Sequence, residues 1–174
     1  MDVASSRVVA PDRVREETAL APLLLQTQGL IVDLLKERLG MPLSVKVLRH
    51  EIAPIGLVRE GLMSADDIPL YLATTVIFRL RETQKLIQTL KVNPQMFFGD
   101  ALKKHHLYHH KTPPTIRRSV YLPAYRALFG ANGETSHVWE RTYAIVTPKG
   151  KKIAGVTEIF SPKLEALLKE PQKS

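Results

Sequence analysis

The apolar pattern near the start of the chain has helical spacing. In the segment APLLLQTQGLIVDLLKERLG, the apolar positions from residue 30 onward fall three or four residues apart. They are Leu30, Ile31, Leu34, Leu35 and Leu39. Gly40, followed by Met41 and Pro42, is a stop signal. This pattern predicts one amphipathic helix that ends at Gly40.

The next pattern alternates, which is typical of strands. Leu43, Val45 and Val47 are separated by polar residues, so LSVKVLRHEIA predicts a half-buried strand, and GLVREGLMSA predicts a second. A turn at Ala65-Asp66-Asp67 leads into a β-branched, apolar run from Leu70 to Leu80. We expect the second and third strands to form a hairpin.

Two helices and a second hairpin follow. RETQKLIQTLKV predicts a short amphipathic helix, and NPQMFFGDALKKHHLYHHK predicts another that starts at Pro94 with Asn93 as its N-cap. TPPTIRRSVYLPAYRALFG begins extended, because its two prolines disfavour helix. The last hairpin has one strand to about Val146, a turn at TPKGK and a strand to Phe160. KLEALLKEPQKS predicts a closing helix.

This order of elements predicts an α+β fold, a single domain with a mostly antiparallel sheet rather than alternating βα units. We expect a loosely ordered leader over residues 1–18, the domain over 19–170 and a polar tail over 171–174. A chain of 174 residues buries enough apolar surface to need no disulfide or metal staple.

Composition narrows the chemistry. The chain has no cysteine, which excludes disulfides and thiol nucleophiles. It has no apolar run of membrane-spanning length and no secretory signal, so we expect a cytoplasmic protein without membrane insertion. The net charge of +8 fits nucleic acid, an acidic membrane surface, an anionic substrate or simple solubility. No zinc-finger spacing or helix-turn-helix is clear, so we predict no nucleic-acid partner.

The histidine run KKHHLYHHK is the first candidate for a metal site. His105 and His109 are four residues apart, as are His106 and His110, so each pair could share a helix face. No acidic third ligand lies nearby, and the flanking lysines would repel a cation. We therefore predict no metal and a solvated basic helix end. The chain also lacks a P-loop and the GxGxxG, GxSxG and HExxH motifs.

Two charged residues interrupt apolar strands. Arg59 lies in GLVREGLM, and Glu158 shares a strand face with Ala154, Val156 and Phe160. A buried charge is costly unless it is paired or hydrogen-bonded. One interpretation is structural, with each residue paired to a neighbour such as Glu60 or Arg141. The other is an internal site with an arginine for a carboxylate and a glutamate for proton transfer.

Three segments carry a resemblance to a known family. VREGLMSADDIPLYLATTVI resembles the central hairpin of the chorismate pyruvate-lyase (4-hydroxybenzoate synthase) family, and TPKGKKIAGVTEIFSP resembles its final hairpin. LLLQTQGLIVDLLKERLGMPLSVKVLRHE is similar to its opening helix, loop and first strand. The resemblance runs in consistent order from about Leu23 to Pro162.

The resemblance implies a six-stranded antiparallel sheet with helical flaps over an internal ligand cavity. It implies a cofactor-independent, metal-free lyase of ubiquinone or plastoquinone biosynthesis that converts chorismate, a small anionic substrate, to 4-hydroxybenzoate and pyruvate. The catalytic residues would be Glu158 and Arg59, with Arg59 also binding substrate. Backbone amides in two loops would complete the substrate site, at Gly29, Leu30 and Ile31 and at Gln95 and Met96. We expect a monomer.

The chain departs from the family pattern at three places. Pro94-Gln95-Met96 replaces Pro-Leu-Gly, Thr74 stands where some members place an arginine, and the first loop reads QTQGL. The alternative is a non-catalytic ligand-binding domain of the same fold for a small aromatic or enolic acid, as in a class of bacterial transcription regulators. Because about twenty residues precede the first helix, too few for a winged-helix domain, the sequence favours the lyase. A basic nucleic-acid-binding domain is a weaker third alternative.

Overall fold

Seven strands form one antiparallel sheet in the computed structural model, which describes residues 31–107, 110–130 and 137–169. The strands are β1 (Leu43–Ala53), β2 (Gly56–Ala65), β3 (Ile68–Phe78), β4 (His110–Lys111), β5 (Thr115–Val120), β6 (His137–Val146) and β7 (Lys152–Phe160). Their order across the sheet is β1-β2-β3-β7-β6-β4, with β5 also pairing with β6. The predicted α+β class and antiparallel sheet are confirmed.

Five helices accompany the sheet within the described ranges. They are α1 (Ile31–Leu39), α2 (Gln84–Val92), α3 (Phe98–Lys104), α4 (Pro123–Phe129) and α5 (Pro162–Lys169). The first is the helix that the spacing of its leucines predicts, with Ile31, Leu35 and Leu39 buried. Gly40 adopts a φ of 61° immediately after α1, a left-handed conformation that glycine reaches at little cost.

Both predicted hairpins form. Asp66 and Asp67 have φ values of 44° and 64°, so the β2–β3 turn has two successive left-handed residues, as a tight hairpin turn requires. The second hairpin places β7 beside β3 and pairs it with β6 on its other side. Thus the two hairpins meet at the β3–β7 boundary, in the middle of the sheet.

The inner face of the sheet packs against helices and carries two apolar clusters. The α1 cluster contains Ile31, Leu35, Leu39, Leu43, Met63, Ala65, Leu70, Tyr71, Phe160 and Leu164. The α2–α3 cluster contains Leu57, Ile77, Leu86, Leu90, Ala101, Leu102, Tyr143, Ile145, Ile153, Ala154 and Val156. Residues of β2, β3, β6 and β7 that lie between these clusters on the same face form the floor of the site described below.

Helix α4 packs on one end of the outer face. Phe129 at the end of α4 packs with Leu72, Val138 and Ile159, whose positions alternate with those of the inner face. Tyr121 completes this cluster and donates a hydrogen bond from its hydroxyl to the carbonyl of Gly130 at 2.8 Å. Each central strand therefore buries side chains on both of its faces.

The helix predicted to start at Pro94 starts four residues later. Asn93 follows the last residue of α2, and Phe97, not Asn93, precedes α3. Pro94 and Gln95 instead form a turn, and the carbonyls of Pro94 and Met96 accept hydrogen bonds from Arg59. A tertiary contact thus overrides a local start signal, and this part of the prediction is wrong.

The described histidines of the run lie outside α3. Helix α3 ends at Lys104, and His106 has a φ of 52°, which breaks the helical path. His105 and His106 therefore do not continue the helix toward His110, which lies in β4, and His109 lies outside the described residues. The four-residue spacing no longer implies a shared helix face, because that inference assumed one continuous helix.

The predicted leader 1–18 and tail 171–174 lie outside the described residues. Within the described ranges, no helix is long and apolar enough to cross a membrane.

Candidate functional site

A small cavity lies between the two inner clusters, with the sheet as its floor and α1 and the start of α3 as its walls. Its volume is about 50 Å³, room for only a few water molecules. The lining residues are Ile31, Val32, Asp33, Arg59, Met63, Tyr71, Ala73, Thr75, Phe97, Phe98, Gly99, Asp100, Tyr143, Val156 and Glu158. The lining thus combines aromatic rings with one buried arginine and one buried glutamate.

Arg59 is a buried cation held by neutral groups. Its residue surface is 3% exposed, and its Nη2 donates to the carbonyls of Pro94 and Met96, both at 2.8 Å. Its Nε is buried and has no hydrogen-bond partner among the described residues. Burial lowers the pKa of Arg59, which is the sign of a charge taken from water without a full counter-charge.

Glu158 is an ionic partner of Arg141. Its Oε2 accepts a hydrogen bond from Arg141 Nε at 2.7 Å and lies 2.6 Å from Arg141 Nη2. Its Oε1 accepts a hydrogen bond from the Tyr143 hydroxyl at 3.1 Å. Strand pairing explains the contact, because Arg141 lies directly opposite Glu158 in the β6–β7 ladder. This is the partner that the structural interpretation of Glu158 proposed.

The surroundings of Glu158 hold nearby phenols in their neutral form. Burial, then the negative charge of Glu158, raises the pKa of Tyr143 and that of Tyr71 well above the usual value. Lys111 lies over the Tyr143 ring, its Nζ 4.5 Å from the ring centroid, and burial lowers the pKa of Lys111 to about 8. Neutral phenols beside Glu158 are therefore hydrogen-bond donors.

At the mouth of the cavity, α1 contacts the α3 region. Lys103 Nζ lies 3.0 Å from Asp33 Oδ2, and Lys36 Nζ lies 5.1 Å from the centroid of the Phe97 ring. Both side chains of the ion pair are about half exposed, so the pair contributes less than about 1 kcal/mol. These contacts between the two walls are thus weak.

The structure brings together only some of the predicted site residues. Arg59, Glu158 and Ile31 line the cavity, whereas Gly29 and Leu30 lie outside the described residues. Gln95 and Met96 are absent from the cavity lining, because α3 starts late and Phe97 to Asp100 take that wall. The amide of Met96 donates to the Asn93 carbonyl at 3.0 Å, so a turn already uses it.

Thr74, another position at which the sequence departs from the family pattern, faces away from the cavity. Its cross-strand partner is Thr157, while the neighbouring pair Ala73 and Glu158 belongs to the inner face. The identity of residue 74 therefore leaves the cavity lining unchanged.

Sequence reasoning missed Tyr143 and Tyr71, and it named Arg141 only as a structural partner of Glu158. The sequence signal in the final hairpin was misleading by one residue. Counting outward from the TPKGK turn places Arg141 opposite Thr157, whereas a register shift between Ile145 and Val146 brings Arg141 opposite Glu158 and Tyr143 opposite Val156.

The described residues contain no group of three histidine, aspartate or glutamate side chains arranged to hold a metal ion. The cavity chemistry is that of a guanidinium, a paired carboxylate and phenol hydroxyls.

No protein-family model matches the chain, and no curated protein matches its sequence. Solved structures do match its fold. PhnF from Mycobacterium smegmatis has a TM-score of 0.64 and 12% identity, with 79% of this chain and 66% of PhnF covered. This chain therefore spans just under two thirds of the length of that structure.

Two other similar structures are separate domains. The effector domain of PhnF has a TM-score of 0.60 and 13% identity, with 79% of this chain and 91% of the domain covered. The ligand-binding domain of a protein proposed to be a GntR-family transcriptional regulator, from Bordetella bronchiseptica, has a TM-score of 0.56 and 9% identity. There the coverage is 69% of this chain and 85% of the domain. At such identities the likeness shows the fold alone.

These findings correct the enzyme prediction. The chorismate lyase-like fold expected from the resemblance is present, but two of the similar structures are described as an effector domain and as the ligand-binding domain of a protein proposed to be a transcriptional regulator. The predictions of a carbon-oxygen lyase and of a place in quinone biosynthesis are wrong. The small number of residues before the first helix was also a poor argument for the lyase, because isolated domains of this fold are among the matches.

Proposed function

We propose that this domain is a non-catalytic ligand-binding domain whose cavity takes a small organic acid, aromatic or enolic in character. The proposal follows the chemistry of the cavity and agrees with the fold of the effector domains described above. The acid group would bind at Arg59, and the apolar body of the ligand would pack among the aromatic side chains of the lining.

One observation carries the proposal: Arg59 is a buried cation without a carboxylate partner among the described residues. At 3% exposure it donates only to two neutral carbonyls, and its Nε donates to none of the described residues. A buried charge without a counter-charge is costly, and an anion bound at Arg59 would offset that cost. Glu158 is different, because Arg141 already neutralises it.

The state of Glu158 also supports binding without catalysis. Both of its carboxylate oxygens have donors, Arg141 on one and Tyr143 on the other. The carboxylate is thus held in place by bonds to the protein, and an atom of a ligand would have to compete with those donors. Its role in the proposed site is to orient Arg141 and Tyr143.

The aromatic lining supports the class of ligand. Phe97, Phe98, Tyr71 and Tyr143 surround the same cavity. Their rings provide apolar contact area for a flat ligand, while the phenol hydroxyls can donate to polar substituents.

The experiment is a binding titration by calorimetry on the full chain. The panel is 4-hydroxybenzoate, chorismate, succinate and inorganic phosphate, with 4-hydroxybenzyl alcohol as a neutral analogue. We expect at least one organic acid to bind and the alcohol to bind about tenfold more weakly or not at all, a difference of roughly 1.4 kcal/mol.

The matched variants are Arg59→Gln and Arg79→Gln. Both remove an arginine that donates to a backbone carbonyl, but Arg79 is exposed and its partner is Ala53, away from the cavity. We expect Arg59→Gln to abolish acid binding and Arg79→Gln to retain it. No binding of any panel acid, or equal binding by the Arg59→Gln variant, would show the proposal to be wrong.

A further inference from the structure

Arg59 has two roles that compete for the same hydrogen-bond donors. It ties the segment Asn93–Phe97 to the sheet through the carbonyls of Pro94 and Met96, and it is also the cavity cation. The segment joins α2 to α3 and leads directly into the cavity wall formed by Phe97 to Asp100. Any change at Arg59 therefore bears on the wall of the cavity.

The geometry of the guanidinium makes the two contacts competitive. An arginine grips a carboxylate with two parallel hydrogen bonds along either of two edges, Nε with Nη2 or Nη1 with Nη2. Both edges need one of the two Nη2 hydrogens. In Arg59, Nη2 already donates to Pro94 and to Met96, at 2.8 Å each. With both bonds in place, a carboxylate can take only single bonds from Nε or Nη1.

We propose that Arg59 is a ligand-operated clamp: a carboxylate that binds its guanidinium with two bonds displaces the carbonyl of Pro94 or Met96 and frees the segment 93–97. This inference rests on the proposed function and adds the response of the domain to its ligand. The ligand carboxylate displaces the backbone carbonyl because a hydrogen bond to a carboxylate is about twice as strong as one to a neutral carbonyl.

The cost of releasing the segment is small. Pro94 is exposed and Met96 is half-buried, so water can replace the lost donor most readily at the Pro94 carbonyl. The remaining ties of the segment are local, such as the bond from the Met96 amide to the Asn93 carbonyl. The two flanking helices stay joined, because Thr89 Oγ1 lies 2.7 Å from His105 Nε2 across α2 and the end of α3.

The size of the cavity requires such a movement. A volume of about 50 Å³ does not admit an aromatic acid, since ligand cavities in proteins have volumes of about 300 Å³ or more. The segment is followed at once by Phe97 and Phe98, which line the cavity. Its release lets that wall retreat, so the same event binds the acid and opens space for it.

The clamp is tested by hydrogen–deuterium exchange of peptides that cover residues 91–100 in the full chain. In the absence of added acid, we expect slow exchange in the wild type and about tenfold faster exchange in Arg59→Met, which lacks both clamp bonds. Arg79→Met, the exposed control, should exchange as the wild type does. If Arg59→Met fails to fold, Arg59→Lys replaces it, because one ammonium does not reproduce the fork.

The response is tested with 4-hydroxybenzoate and chorismate at millimolar concentration, and with 4-hydroxybenzyl alcohol as the neutral probe. We expect the acid that binds to speed exchange of residues 91–100 in the wild type, the alcohol to have no effect, and Arg59→Met to stay fast with or without acid.

Three outcomes overturn the clamp, and they separate it from the proposed function. Equal exchange in wild type and Arg59→Met shows that Arg59 does not hold the segment. An acid that binds by calorimetry but leaves exchange unchanged or slower rejects the clamp while the ligand-binding function stands. Absence of acid binding rejects the proposed function and ligand operation together, while the comparison without acid still reports whether Arg59 holds the segment.

Discussion

At the scale of single residues, Glu158 and Arg141 form a buried ion pair whose members depend on each other. The side chain of Arg141 is 1% exposed and that of Glu158 is 4% exposed. Removing one partner leaves the other charge buried without a counter-charge, which lowers the free energy of unfolding by about 3–5 kcal/mol. Removing both charges costs far less.

This dependence gives a double-variant prediction. Arg141→Met should lower the free energy of unfolding by about 3–5 kcal/mol. Adding Glu158→Gln should recover most of that loss, because the amide is neutral and its oxygen still accepts from Tyr143. The measurement is the free energy of unfolding in urea for the two single variants and the double variant. Additive losses would mean that the two charges do not stabilise each other.

His50 makes a second residue-scale prediction, for the dependence of stability on pH. Burial, then the positive charges of Arg59 and Lys91, lowers the pKa of His50 from 6.5. Neither ring nitrogen has a partner among the described residues. His50 therefore binds a proton less readily in the folded chain than in the unfolded chain. The stabilisation is fully present above the unfolded pKa of 6.5 and is lost as the pH falls from there toward the lower folded pKa.

The measurement is the free energy of unfolding at about pH 7.5 and about pH 5.5. We expect His50→Gln to lose less stability on acidification than the wild type. His110→Gln, at an exposed position in β4, is the control and should lose as much as the wild type. An equal loss in all three chains would exclude His50 as the cause.

At the scale of elements, the turn between β1 and β2 depends on one glycine. Gly56 has a φ of 147°, and a Cβ there would collide with the Ile77 carbonyl oxygen and lie 2.9 Å from the Arg79 nitrogen. Gly150, in the β6–β7 turn, has a φ of 79° but open space around it.

We therefore expect Gly56→Ala to destabilise the domain by about 3 kcal/mol or more, since it adds a backbone clash to conformational strain. Gly150→Ala should cost only about 1–2 kcal/mol, the strain of a left-handed residue with a side chain. Thermal unfolding of both variants compares them. Equal effects would mean that the β1–β2 turn relaxes freely.

The elements themselves were largely predictable, and the exceptions have one physical cause. Strands β2, β3, β6 and β7 follow from alternation and turn residues, which are local signals. The start of α3 was not predictable, because Asn93-Pro94 is a valid local start that loses to hydrogen bonds from Arg59, 35 residues away in sequence. Only the assembled sheet brings that arginine to the segment.

At the scale of the whole molecule, the order of elements predicts the fold but not the state of the site. Asp33 of the cavity lining is paired with Lys103, which is 70 residues away in sequence, so no local pattern reports how small the cavity is. The resemblance identified the two charges correctly as inner-face residues, yet their roles depend on partners. One fold supports enzymes and ligand-binding domains alike, and the difference lies in those side-chain contacts.

The β-bulge in β1 has a consequence for the protein in concentrated solution. β1 is the end strand in the order of described strands, and eleven residues of exposed strand edge invite another chain to add to the sheet. The register shift between Val47 and Arg49 interrupts that edge, and the exposed charges of Lys46, Arg49 and Glu51 line it. A bulge and exposed charges along a strand both disfavour pairing with another chain, so we expect β1 to be a poor template for edge-to-edge association.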